Sequence, residues 1–379
     1  MERFTRLGLK ARIGGSFAVS MLVILAVVIP SLMLVISGLI DRAIERQAAT
    51  QFDIFRGMIE AETERAASLA HLVALMPEVG RAMAAGDRES LARSLVPGFK
   101  TMADQHGIEQ VQFHLPPATS FLRVHQPAKF GDDLSSFRRT VVEANVRKQP
   151  VTGLEKGVAG LGLRAVEPIT LDGRHLGTVE FGTSVGQPLV DRFKKRCPEC
   201  DLSLFVAKPD GGFAAFASTL ASGGGAIAPA TGVAELQGAL GGHQTIRRLD
   251  LGGRPRAILV AALTDYSGAP AAAMELMIDV GELVASQTHA TVVAALALVA
   301  ALLLAVGLLY LIHRTVTRPL VAVTGVMEAL AAGDLGVVVP PAKGRDEISQ
   351  MARAVAVFKD NMVRNAELSR QQLAEQEAR

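Results

Sequence analysis

The chain has 379 residues, a formal net charge of +2, hydrophobic residues at 49% and no tryptophan. So balanced a charge gives no bias toward polyanions, and so few aromatic rings give no base-stacking platform, which excludes nucleic acid as a partner. Length alone predicts two to three domains, and much of the apolar content falls in two uncharged blocks.

The first block, residues 13–40, carries no charged side chain. It exceeds the roughly 20 apolar residues that cross a bilayer. Arg3, Arg6, Lys10 and Arg12 precede it, opposed only by Glu2. A basic start before an apolar run also suits a signal peptide. The run is too long for a signal core and no small-residue site closes it, so the expectation is an uncleaved anchor behind a cytoplasmic N-terminus, 1–12. Pro30 lies inside it, and proline is tolerated in a spanning helix.

Residues 41–76 contain no proline, and Ile44, Phe52, Ile54, Phe55, Ile59, Ala66, Leu69, Leu72 and Val73 recur at near-helical spacing. This predicts a stalk helix whose apolar stripe buries against a domain or a second copy of itself. The pattern changes at Met76-Pro77. Short helices are expected over 88–95 and 98–106. Alternating runs at 111–115 and 121–125 predict a β-hairpin with Phe121, Arg123 and His125 on one face. A helix over 132–147 follows, with Asp132 or Asp133 as its N-cap. Residues 161–171 and 175–185, joined by Asp172-Gly173, predict a second hairpin. Strands, a helix and more strands make an antiparallel α+β module over 77–196.

A similar rhythm follows over 197–289, with strands at 202–208, 244–251, 256–263 and 271–280. The run from Gly173 to Val185 is echoed by the run from Gly268 to Val280, which reads as an internal repeat. Residues 218–232 form a small-residue loop without the Lys-Ser/Thr of a phosphate cradle. Cys197 and Cys200 are the only cysteines, in CPEC. That spacing fits a redox motif, half a zinc site or a local disulfide. A second pair for a four-cysteine zinc site is absent, and Asp201 stands where a c-type haem motif has histidine. Outside the cytoplasm a small disulfide is expected. Neither a metal nor a cofactor is predicted.

The second uncharged block is 290–312, with Arg314 and Arg318 just after it. Positive residues stay on the cytoplasmic side, so both termini are expected inside and residues 41–289 outside. Tyr310 would lie at the inner interface. Beyond it, Val316, Leu320, Val323, Met327 and Leu330 form one a/d heptad seam, and Ile348, Met351, Val355, Phe358 and Met362 a second. Gly333 suits a helix end, Leu335 and Val339 lie in the connector, and Asp346-Glu347 opens the second helix. Such short seams bury fully only in a homodimeric four-helix bundle.

Pro319-Leu320, Gly333-Asp334-Leu335, Asp346-Glu347-Ile348 and Phe358 with Met362 resemble a HAMP domain, the signal-converting module of chemoreceptors and sensor kinases. The likeness covers 313–365, with 366–379 as the start of a cytoplasmic coiled coil. Residues 105–185 resemble the Cache sensory domain, a PAS-like extracytoplasmic fold, through the FHLPPATSFLRVHQPAKFGDDLSSFR block and LRAVEPITLDGRHLGTVEFG. Two modules after a long helix look like a double Cache. The resemblance implies a small-molecule pocket on the sheet of one module, usually the one farther from the membrane.

Candidate ligand contacts are Arg123, His125, Arg138 and Glu180. An arginine fork suits a carboxylate or phosphate, so an anionic ligand is expected. Phe113, Phe121, Phe130 and Phe137 are read as core. No residues form a catalytic constellation, so the chain is not expected to be an enzyme.

The resulting expectation is a bacterial inner-membrane receptor with two spans, most similar to the N-terminal part of a methyl-accepting chemotaxis protein. It would reach a cytoplasmic partner through an output region. The alternative is the sensory half of a histidine kinase or diguanylate cyclase. A third possibility is a complete receptor that acts only by packing against a partner.

Overall fold

The computed structural model describes residues 9–157, 160–220, 227–341 and 344–377. Glu2, Arg3, Arg6 and residues 221–226 of the small-residue loop lie outside the described residues. The chain forms two compact units, Leu39–Ala285, and Met1–Gly38 with Ser286–Arg379.

Helix α1 runs from Leu9 to Ala74 without a break at Pro30, so the predicted anchor and stalk are one helix. Within the Leu39–Ala285 unit, its Ile44, Phe55, Ile59, Ala66 and Val73 are buried, whereas Leu72 is exposed. Helix α2 (Pro77–Ala85) opens with proline and closes at Gly86 with φ +68°, a left-handed conformation that glycine adopts without strain. Helix α3 (Arg88–His106) replaces the two short helices expected there. Asp87 caps it, accepting from the Ser90 N–H at 2.9 Å, and the helix passes through Pro97.

Strands β1 (Gln110–Leu115), β2 (Thr119–Arg123), β3 (Val151–Gly157), β4 (Gly160–Leu171) and β5 (Arg174–Ser184) form the first sheet, in the order β2-β1-β5-β4-β3. At the β4–β5 turn, Asp172 and Gly173 both take positive φ, at 49° and 75°, as a two-residue hairpin turn requires. Helix α4 (Arg139–Arg147) lies on one face of this sheet, with Val141 and Ala144 buried beside Val151 and Val166. It begins later than expected because both presumed caps are engaged elsewhere. Asp132 pairs with Arg123, and Asp133 accepts from Ser135.

Helix α5 (Gln187–Arg196) leads to the second sheet: β6 (Cys200–Ala207), β7 (Phe213–Ser218), β8 (Thr245–Asp250), β9 (Pro255–Thr264) and β10 (Pro270–Asp279). Its order, β7-β6-β10-β9-β8, repeats the first strand for strand. Helix α6 (Val233–Leu240) covers one face through Leu236 and Ala239. One apolar cluster joins α1 (Ile44, Phe55), β4 (Leu161, Leu163) and β10 (Met274, Leu276), so the two sheets share a core. Cys197 and Cys200 are disulfide-bonded between α5 and β6.

Helix α7 (Gly281–Ile312), which passes into the other unit at Ser286, ends in a π-helical turn, His313–Thr317, followed by α8 (Arg318–Ala331) and α9 (Glu347–Glu377). Both α1 and α7 include a stretch long and apolar enough to cross a membrane. Gly333 ends α8 with φ +86°, and Asp346 caps α9 by accepting from the Ser349 N–H at 2.7 Å. Val323, Val326 and Leu330 pack against Ala352 and Val355, with Leu335, Val339 and Met362 partly buried on the same cluster. Met327, Met351 and Phe358 of the predicted seams are exposed.

Candidate functional site

Strand alternation sorts the first sheet into two faces. Val111, Phe113, Ala165, Val179 and Phe181 meet the cluster formed with α1, α2 and α3. Gln112, His114, Arg164, Thr178 and Glu180 are also buried, on the face that α4 covers. Glu180 sits at the centre, opposite Gln112 on β1 and Val166 on β4. Arg164 lies over a backbone cleared by glycine. A Cβ on Gly162 would stand 2.7 Å from its Nη2, and one on Gly182 would collide with its guanidinium.

The side chains on this face form one charged cluster. Glu180 Oε1 is 3.3 Å from Arg164 Nη1 and 3.9 Å from Arg138 Nη1, and its Oε2 is 3.5 Å from His114 Nε2. Gln110 Oε1 accepts from both Arg164 Nη1 (2.7 Å) and Arg138 Nη2 (3.1 Å). Glu155 on β3 accepts from Arg138 at 3.5 Å and from the Thr140 backbone N–H at 2.8 Å, which ties the start of α4 to the cluster. His114 Nδ1 lies 3.3 Å from the Thr178 hydroxyl. Both Glu180 oxygens, Arg138 Nε, Arg164 Nε and His114 Nε2 are buried with no hydrogen-bond partner among the described residues.

Electrostatics follow from this burial. Desolvation pushes the His114 pKa down to about 4, against the pull of Glu180, so it is neutral at pH 7. Burial opposes ionisation of Glu180, but the Arg138 and Arg164 guanidiniums together outweigh it and hold its pKa below the usual carboxylate value. Glu155 is shifted the other way, raised chiefly by burial and only partly offset by the Thr140 N–H. The two guanidiniums favour the ionised form of Glu180, whereas burial disfavours the charged forms of Glu155 and of Arg164 itself. The orphaned polar atoms of the cluster include both donors and acceptors.

Of the expected ligand contacts, the structure brings Arg138 and Glu180 together. Arg123 makes a bidentate pair with Asp132, both contacts at 2.7 Å, and also donates to the Lys129 carbonyl. His125 lies beyond the end of β2, its Nδ1 3.2 Å from the Val111 carbonyl and its ring near Phe99, rather than on a strand face with Arg123. Phe130, read as core, is half exposed beneath the Arg88 guanidinium. The cluster members that the sequence reading passes over are His114, Arg164, Glu155, Gln110 and Gln112. A separate cleft of about 800 Å³ lies between α1, β3 and β9, lined by Phe52, Arg56, Glu60, Leu154, Leu263 and Tyr266 among others.

Comparison with known proteins places these features. The model for the double sensory domain of two-component sensor kinases matches residues 41–284, and the HAMP domain model matches 311–364. A Sinorhizobium fredii protein named "probable chemoreceptor y4sI" is 39% identical over 61 residues, which is 16% of this chain and 8% of that protein. The chain therefore spans only a small part of that relative. Among solved structures, the sensor domain of the V. cholerae histidine kinase DctB is 11% identical, covering 63% of this chain and 98% of its own, with a TM-score of 0.40. The ligand-binding domain of the Campylobacter jejuni chemoreceptor Tlp3, solved with L-norvaline, is 14% identical, covering 65% and 94%, with a TM-score of 0.43.

Proposed function

The chain belongs to the family of the double sensory domain of two-component sensor kinases and carries a HAMP domain, and from this we propose that it is the input part of a receptor that senses a small anionic molecule across a membrane. The observation that carries the ligand reading is the pair of buried guanidiniums, Arg138 and Arg164, around Glu180, with orphaned Nε atoms beside them. A carboxylate or phosphate brought to Arg138 and Arg164 would satisfy those donors, and Glu180 and His114 would orient the rest of the ligand. On this reading residues 77–196 are the binding module, 197–289 the module next to the membrane, and the sensory region lies outside the inner membrane with both termini in the cytoplasm.

Strand β10 ends at Asp279 and α7 begins at Gly281, so a strain in the second sheet reaches the apolar helix through one residue. The HAMP helices would convert it by repacking, since packed interfaces are bistable rather than continuously deformable. The chain acts as a homodimer, without catalysis of its own, on a cytoplasmic signalling partner or output region. Its type would be set by whatever chain follows Arg379, if any does. A long heptad hairpin means a chemoreceptor, and a phosphoacceptor or cyclase domain means a sensor enzyme.

The direct test is a thermal-shift screen of the full chain in nanodiscs with small carboxylic acids, organic phosphates, amines and amino acids. Stabilisation by an acid, lost in Arg164→Gln and retained in Arg123→Gln, is expected. A screen in which no anionic compound stabilises the chain would sink the reading.

A further inference from the structure

The repeated sheet order puts a second glutamate where Glu180 sits. Glu180 lies on β5 opposite Gln112 of β1 and Val166 of β4. Glu275 lies on β10 opposite Ser203 of β6 and Val260 of β9. β5 and β10, β1 and β6, and β4 and β9 hold matching places in the two sheets. In each sheet the residue opposite the glutamate also hydrogen-bonds a serine of the edge strand, though at different register positions. Gln112 donates to Ser120 on β2 at 3.0 Å, and Ser203 meets Ser218 on β7 at 2.7 Å. Both glutamates are fully buried, one on the face under α4 and the other on the face under α6.

What each carboxylate touches is different. Around Glu180 stand two guanidiniums and an imidazole, none in hydrogen-bonding geometry. Glu275 has no cation within ion-pair distance among the described residues. Its oxygens accept instead from the Ala230 N–H (3.1 Å), the Thr231 N–H (3.1 Å) and the Thr231 hydroxyl (2.9 Å). The segment that supplies these donors comes from the loop before α6 and tucks Ile227 into the apolar cluster of the same face. A buried carboxylate is tolerated only when donors or a cation satisfy it. Here the chain provides its own.

We propose that the face around Glu275 is a second binding site, closed by the Ala230–Thr231 segment acting as an internal ligand, and that it takes a primary ammonium compound when that segment is displaced. The chemistry selects the class. An ammonium offers several N–H donors in a small volume and suits a buried carboxylate. Phe205, Ala273 and Met277 around it suit a short apolar substituent. This site is independent of the Arg138–Arg164 cluster, and its test leaves Glu180 untouched.

The experiment is chemical rescue in the full chain. Thr231→Pro removes one N–H and the hydroxyl, and should lower Tm by about 5 °C, as expected for lost hydrogen bonds to a buried charge. Methylammonium should restore Tm in a saturable way, while tetramethylammonium, of equal charge but without N–H, should not. Adding Glu275→Gln should abolish the rescue. Should Thr231→Pro not fold, Thr231→Ala with ammonium is read by the same criteria. Absence of rescue, equal rescue by tetramethylammonium, or rescue that persists with Glu275→Gln would each overturn the proposal.

Discussion

The backbone N–H of Tyr266, in the β9–β10 turn, donates to the carbonyl oxygen of Leu154 on β3 at 2.9 Å. The approach is close enough that a Cβ on Gly153 would stand 2.9 Å from the Tyr266 Cβ, at a backbone φ of +142°. The Tyr266 side chain packs with Val141, Ala144 and Val166 in the cluster beneath α4, and Glu155, next to Leu154, holds the start of α4. A turn of the second sheet thus touches the first sheet beside its charged cluster, and the strand after that turn is β10, which leads to α7. We expect Tyr266→Ala to cost about 1–2 kcal/mol, for a partly buried ring. More tellingly, Glu155→Gln should change amide hydrogen exchange along β10 in the otherwise wild-type chain and not in Tyr266→Ala. Equal changes in both backgrounds would remove Tyr266 from the route.

Gly153 itself gives a cleaner stability test. Gly153→Val adds a side chain against Tyr266 in a conformation that L-residues rarely adopt, so a loss of about 3 kcal/mol is expected from overpacking and backbone strain together. Denaturant unfolding of the chain in detergent measures it. A loss below about 1 kcal/mol would mean that the β9–β10 turn moves aside freely and is not clamped to β3.

Removing Glu180 tests whether the cluster behaves as one unit. Glu180→Leu leaves Arg138 and Arg164 buried without their central carboxylate, and should cost about 3–5 kcal/mol. Adding Arg164→Met removes one of the stranded charges, so the double variant should be less destabilised than the sum of the two single changes. Strict additivity, measured by denaturant midpoints, would contradict the coupling implied by the 3.3 Å approach of Arg164 to Glu180.

The residues that escaped sequence reading do so for a physical reason. Gln112, His114 and Arg164 alternate with apolar neighbours along their strands, the pattern of a half-exposed sheet. Alternation tells which residues share a face and is silent on what covers that face. Helix α4 covers it, and its position depends on a contact with Glu155 on β3 that the alternation does not announce. The hairpin at Asp172-Gly173 and the HAMP turn at Gly333 were legible because each rests on local backbone demands. β3 was missed for the converse reason. Gly153 and Gly157 break its alternation, and its pairing with β4 and contact with Tyr266 decide its conformation.

His114 gives a pH dependence of definite sign. Its pKa falls from 6.5 in the unfolded chain to about 4 in the fold. The unfolded chain therefore binds the proton first, so stability is fully present above about pH 6.5 and is lost as pH falls toward 4. Between pH 6.5 and 5 the loss from this group is about 2 kcal/mol. His125 and His175 are also shifted down by burial and add in the same direction. His114→Asn should flatten the Tm profile across this window while leaving the steeper loss below it, where Glu180 protonates. An unchanged slope between pH 6.5 and 5 would show that His114 is not the neutral buried imidazole described.

In the HAMP region, the contact between α8 and α9 is filled by Val323, Val326, Leu330, Ala352 and Val355. Val326 and Ala352 stand one position away from the heptad residues Met327 and Met351. Those two and Phe358 are left 41%, 48% and 50% exposed. Exposed apolar side chains at heptad spacing are what a second copy of the bundle would cover. Cysteine placed at Met351 or Phe358 should cross-link two chains in native membranes under mild oxidation, while cysteine at Val357, exposed but off the seam, should not. Cys197 and Cys200 do not compete, because they are bonded to each other. Phe358→Ala should weaken association by about 2 kcal/mol per chain, the order expected for an apolar side chain that loses its burial. Cross-linking as efficient at Val357 as at Phe358 would place the chain interface on another face of α9.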